Sequence, residues 1–107
     1  MDEARLLRVL KALADPKRFR MLQEIAAAGE LTCGQVGELF PLSQPTISHH
    51  LKILTAAGLL VVRESGQHHF ISANLDLVNQ AASFLPSRVT VTSTRKRRLA
   101  ADAKIAT

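Results

Sequence analysis

The sequence predicts a mainly α domain that carries one β-hairpin. Three observations predict it. Apolar residues recur at spacings of three and four in five separate segments. Residues that cap or stop helices stand at the joints between those segments. One later stretch, on either side of Ser65-Gly66, alternates in the manner of two paired strands.

The first helix spans Asp2 to Leu13, with Leu6, Val9, Leu10 and Leu13 as its apolar stripe and Arg5, Arg8 and Lys11 on other faces. Asp15-Pro16 starts the second, since Asp caps a helix and Pro costs nothing at its first position. That helix runs to Ala28 with Phe19, Leu22, Ile25 and Ala26 on one side, and Gly29 stops it. Leu31 reads as a short extended linker. Thr32 caps a short third helix, Cys33 to Phe40, whose apolar face is Val36, Leu39 and Phe40, and Pro41 breaks it. Ser43 caps the fourth, Gln44 to Ala57, which ends at Gly58. The hairpin pairs Leu59–Glu64 with Gln67–Ala73. Asn74 then caps a fifth helix, Leu75 to Leu85, striped by Leu75, Val78, Ala82 and Leu85 and ending before Pro86. Helix, helix, short helix, tight turn, helix, hairpin, helix is the order of a winged helix-turn-helix.

One chain of 107 residues is enough for one modest core. Residues 1–86 read as the folded domain and 87–107 as a basic, flexible tail. No apolar run approaches the ~20 residues of a membrane span, and the acidic N-terminus does not look like a signal peptide. A cytoplasmic protein with no membrane partner is the expectation. Net charge is +5, but residues 1–86 hold eight basic and eight acidic side chains, and residues 87–107 six basic and one acidic. The excess therefore belongs to the tail, where Arg95–Arg98 is clustered, and says nothing about the domain's own affinity for nucleic acid.

The fourth helix is more informative. Ile47, Leu51 and Leu54 share one side of it at ~100° per residue. The opposite side carries Pro45, His49 and Lys52, with Ser48 at its edge. Short, polar and basic groups near the front of a helix are what a major groove admits. His50 flanks the buried seam and reads as a packing histidine. In the hairpin, Arg63, Gln67 and His68 stand near the tip, within reach of a minor groove or flanking phosphates. Adjacent His68 and His69 point to opposite faces and cannot chelate one ion together.

Leu10–Leu22 (LKALADPKRFRML), Leu42–Leu54 (LSQPTISHHLKIL) and Ala57-Gly58-Leu59 resemble the ArsR (ArsR/SmtB) family of bacterial winged-helix repressors, over about residues 5–85. The resemblance implies a homodimer built from the first and last helices, bound to an inverted-repeat operator and released by an inducer. It places Leu6, Val9, Leu10, Leu13, Leu75, Val78, Ala82 and Leu85 at the dimer interface. Gln44, Ser48 and His49 match the family's DNA-contacting positions, with Thr46 beside them. Ser43 reads first as a cap and second as a phosphate contact; Lys52 reads as a phosphate neutraliser. Pro45 replaces a polar contact residue of many relatives.

The inducer is not legible. Metal-sensing relatives carry a cysteine pair before the turn, where this chain has Leu31-Thr32-Cys33-Gly34-Gln35-Val36, or Asp and His ligands on the last helix, where it has Asp76 but no His. Neither set is complete, so no metal and no cofactor is expected, and the effector is an unidentified small molecule or an oxidant acting on Cys33. A thiol at a helix N-terminus favours the thiolate; the plainer reading of a free cysteine is a small core residue. The main expectation is thus a DNA-binding repressor and not an enzyme, because no triad spacing or Gly-rich phosphate loop is present. The alternative is a winged-helix module for protein–protein contact with only non-specific DNA affinity, indifferent to replacement of Ser48 and His49.

Overall fold

The computed structural model describes residues 1–90; the Arg95–Arg98 cluster and the rest of the expected tail from residue 91 on lie outside the described residues. Five helices and three strands follow one another as α1 (Glu3–Leu13), α2 (Pro16–Ala28), β1 (Leu31–Thr32), α3 (Cys33–Leu39), α4 (Gln44–Ala56), β2 (Leu60–Ser65), β3 (His68–Ala73) and α5 (Leu75–Val89).

The joints are made by local chemistry. Asp2, Asp15, Thr32, Ser43 and Asn74 each turn a side-chain oxygen onto backbone N–H groups that the helix leaves unpaired. At Thr32 the cap is reciprocal: its hydroxyl accepts from Gln35 N, and the Gln35 amide oxygen accepts from Thr32 N at 2.8 Å. Gly58 follows α4 with φ +85°, a left-handed conformation that a side chain resists. Leu59 N then bonds back to Leu54 O, which turns the chain into β2.

The segment expected to be a linker at Leu31 is a strand. Leu31 pairs with Ile71 and Thr32 with Phe70, making a three-stranded antiparallel sheet in the order β1-β3-β2. Two residues are too few for alternation to show in the sequence; the backbone groups of β3's free edge supply the reason. The fifth helix also runs on through Pro86 to Val89. Proline there removes one backbone bond, but the last turn is held by side chains. Ser87 Oγ donates to Phe84 O, Thr90 Oγ1 donates to Pro86 O, and Arg88 clasps Glu3 of α1. Residues 87–89 therefore belong to the helical domain and not to a tail.

The core is one cluster. Val9, Met21, Ile25, Val36, Ile47, Leu54, Leu59 and Leu77 are its fully enclosed side chains, one or more from each of α1 to α5 and from the turn into β2. Two stripes are rotated from expectation. On α2, Met21 is buried while Phe19 faces outward; on α3, Val36 is buried while Leu39 is exposed. On α1 the core takes Leu6, Val9 and Ala12, so Leu6 and Val9 are corrected as interface residues: Val9 has no surface left and Leu6 only an edge.

Candidate nucleic-acid interface

Leu42 N bonds to Phe40 O at 2.8 Å, and this tight turn stands α4 across α3. Ile47, Leu51 and Leu54 anchor α4 in the core, which fixes what points away. Gln44, Pro45, Ser48, His49 and Lys52 are exposed on that outer side. Ser48 and His49 thus stand together at the front of the helix, with Lys52 one turn further on.

Gln44 and Thr46 are engaged locally. The Gln44 amide reaches back over α3, with Nε2 4.0 Å from Cys33 Sγ, and its oxygen fills the space beside Gly37 where a Cβ would sit 3.2 Å away. Thr46 Oγ1 shares a 2.7 Å hydrogen bond with Ser43 Oγ, the cap of α4. Both residues belong to the turn as much as to the outer face. His50 is buried, where the angular reading of α4 put it.

In the wing, Arg63 is not a free cation. Its guanidinium donates twice to Glu30, at 2.8 and 3.3 Å, and lies 4.5 Å above the Phe70 ring. That clasp holds Glu30 below the usual carboxylate range and ties the hairpin to the chain between α2 and β1. Arg63 is therefore a hairpin brace, and its side chain is still exposed at the wing surface. Sequence reading missed it because Glu30 lies 33 residues away. Gln67 and His68 are exposed at the tip, His68 with its ring 6.0 Å from Phe70. His69 takes the other face, 3.9 Å from Glu64.

Between α4 and the wing lies a cleft of about 540 Å³. Leu51, Val62 and Ile71 contribute apolar walls, and Ser48, Cys33 and His69 polar ones. Cys33, at the first position of α3, is half-buried in its side. Among the described residues no three His, Cys, Asp or Glu side chains come together to hold a metal ion. No helix among them is long and apolar enough to cross a membrane.

A second surface joins α1 and α5. Leu10, Leu75, Ala82 and Leu85 are exposed, and Leu13 and Val78 half-buried. Leu7, 57% exposed, and Val89, 71% exposed, extend the patch. Both were missed in the sequence. The signal for Leu7 was its neighbour Leu6, since the next residue of a helix points ~100° away from the one before it.

A helix-turn-helix domain model matches residues 13–63, from the end of α1 into β2. An arsenical resistance operon repressor of Staphylococcus xylosus is 39% identical over 83 residues, 75% of this chain and 79% of that protein. The chain belongs to the ArsR family. The transcriptional repressor SdpR of Bacillus subtilis is 34% identical over 77 residues, covering 72% of this chain and 84% of that one. Among solved structures, an ArsR-like transcriptional regulator from Rhodococcus sp. RHA1 superposes with a TM-score of 0.77 at 30% identity, over 96% of this chain and 93% of that one. A domain from Mycobacterium bovis described as a homodimeric winged helix-turn-helix, 24% identical with a TM-score of 0.66, shares the fold over 79% of each chain. This ArsR-family chain is thus a transcriptional regulator with a helix-turn-helix DNA-binding domain, and its α3–turn–α4 unit falls wholly inside the matched region.

Proposed function

We propose that this ArsR-family protein is a repressor that binds an inverted-repeat operator as a homodimer and leaves it when an inducer binds. The observation that carries the reading is the outer face of α4, where Ser48 and His49 are exposed side by side on a helix whose rotation the core fixes. Their hydroxyl and imidazole supply donors and acceptors for base edges in the major groove. Lys52 sits behind them, placed for a phosphate. The hydroxyls of Ser43 and Thr46 and the backbone N–H of Gln44, all at the first turn of α4, offer hydrogen bonds to the backbone entering the groove. Gln67 and His68 at the wing tip reach the flanking strand, whose phosphates would pass over the cleft between wing and α4.

Two copies are needed to read two half-sites about one DNA turn apart, and the exposed leucines of α1 and α5 are the surface we assign to their contact. We assign the inducer to no metal, because Cys33 and Asp76 are isolated pieces of the ligand sets that metal-sensing relatives carry. A small molecule or an oxidant of Cys33 fits the residues better, and the protein would act on cytoplasmic DNA.

Fluorescence anisotropy on duplexes tiled across the gene's own upstream region, against a scrambled duplex at ~150 mM salt, tests the reading. Specific binding tighter by a factor of about 10³ or more is expected. Equal, weak, salt-sensitive binding to every duplex would contradict it and favour a protein-contact module.

A further inference from the structure

Among the described residues the one buried polar side chain is His50, on α4 next to the reading face. It is 8% exposed, and its Nδ1 has no hydrogen-bond partner. A leucine there would fill the same space without stranding a ring nitrogen, so the position carries a cost that packing alone does not explain. The charged and titratable groups that face it are Asp15 at the start of α2, Lys17 and Arg18 within α2, and His49 on α4. The His49 ring lies 6.2 Å away, tilted by 50°.

The carboxylate that would compensate a charge on His50 already caps α2 through one of its oxygens. Asp15 Oδ1 accepts from Lys17 N at 2.9 Å and Arg18 N at 3.0 Å, and Oδ2 lies 3.8 Å from an Arg18 nitrogen. A neutral His50 leaves that cap undisturbed. A proton on Nδ1 makes a buried, charged donor with no acceptor, and the ring must then either leave its seat or pull Asp15 from the end of α2. Either movement loosens the α2–α4 contact that sets the rotation of α4.

Resting on the operator-binding function proposed above, we propose that His50 is a positioning residue for DNA reading. In its neutral form it fixes α4 against the start of α2, and so aims Ser48 and His49; acidification releases the sequence-specific contacts.

Burial pushes His50 below the ordinary histidine value of 6.5; Asp15 opposes this, while Arg18, His49 and Lys17 add to it. Its contribution is therefore complete above 6.5 and is lost as pH falls from there through the lowered value.

The test measures Kd for operator and scrambled duplexes with the full chain, wild type, His50→Leu and His50→Gln, at pH 7.5 and at the lowest pH that leaves helix content unchanged. The wild-type specificity ratio should fall about tenfold for each pH unit of linkage engaged. In His50→Leu the ratio should stay within about twofold, and His50→Gln, polar but not titratable in this range, should behave likewise. The same acid-induced fall in wild type and variants, or no fall in wild type, overturns this role for His50 while leaving operator binding intact. A wild-type ratio near one already at pH 7.5 overturns the operator reading and this inference with it.

Discussion

Arg63 shows how a single side chain is assigned by its surroundings. As a cation near a hairpin tip it suits a phosphate, and it also shares its charge with Glu30 and lays its flat face on Phe70. Replacing it with Ala should return the Glu30 carboxyl upward to its ordinary value of 4.5 in an NMR titration, because the Arg63 hydrogen bond is the largest cause of its lowering. Operator affinity should change little compared with loss of His49. A Glu30 that titrates identically in both proteins would show that the clasp does not form. At this scale the sequence discloses what is local. The caps Asp15, Thr32, Ser43 and Asn74 were legible because capping joins residues two or three apart. The burial of His50 followed from its angle on α4. The Arg63–Glu30 pair was not legible, since nothing in either neighbourhood specifies the other.

Elements inherit the same division. Periodicity located all five helices and the hairpin, because an amphipathic stripe is carried by the segment itself. It did not decide which of two neighbouring apolar residues faces the core, as Leu6 and Leu7 on α1, or Phe19 and Met21 two positions apart on α2, demonstrate. It also missed β1, whose two residues are a strand only by virtue of β3, and it ended α5 at Pro86, where contacts from Ser87, Arg88 and Thr90 carry the last turn. Asn74 links two elements at once. Its side-chain oxygen accepts from Leu77 N to start α5, and its amide donates to Gly58 O, 3.0 Å away, at the exit of α4. Asn74→Ala should cost about 1–2 kcal/mol in urea unfolding. Asn74→Asp, which keeps the cap and loses the donor, should recover part of it. Equal losses in the two variants would mean that the Gly58 bond supplies the whole effect.

For the whole molecule, the domain's eight acidic and eight basic side chains up to residue 86 make a general electrostatic account of DNA binding inadequate. In the function proposed above, geometry supplies the specificity: one α4 per chain, aimed by the core, and two chains to match a two-fold operator. The dimer surface proposed on α1 and α5 is testable apart from DNA. Leu10→Glu together with Leu85→Glu alters exposed positions, and should give a folded monomer by sedimentation that binds a full operator no better than a half-site. A dimer that persists would place the contact elsewhere. The central claim is that the outer face of α4 reads sequence, and the most direct measurement is the operator-to-scrambled affinity ratio of His49→Ala beside Lys52→Ala across a salt series. His49→Ala should lower operator affinity by about 1–3 kcal/mol and collapse the ratio, while Lys52→Ala should weaken both duplexes alike and reduce the salt slope by about one unit. A His49→Ala protein that keeps the wild-type ratio would contradict the account.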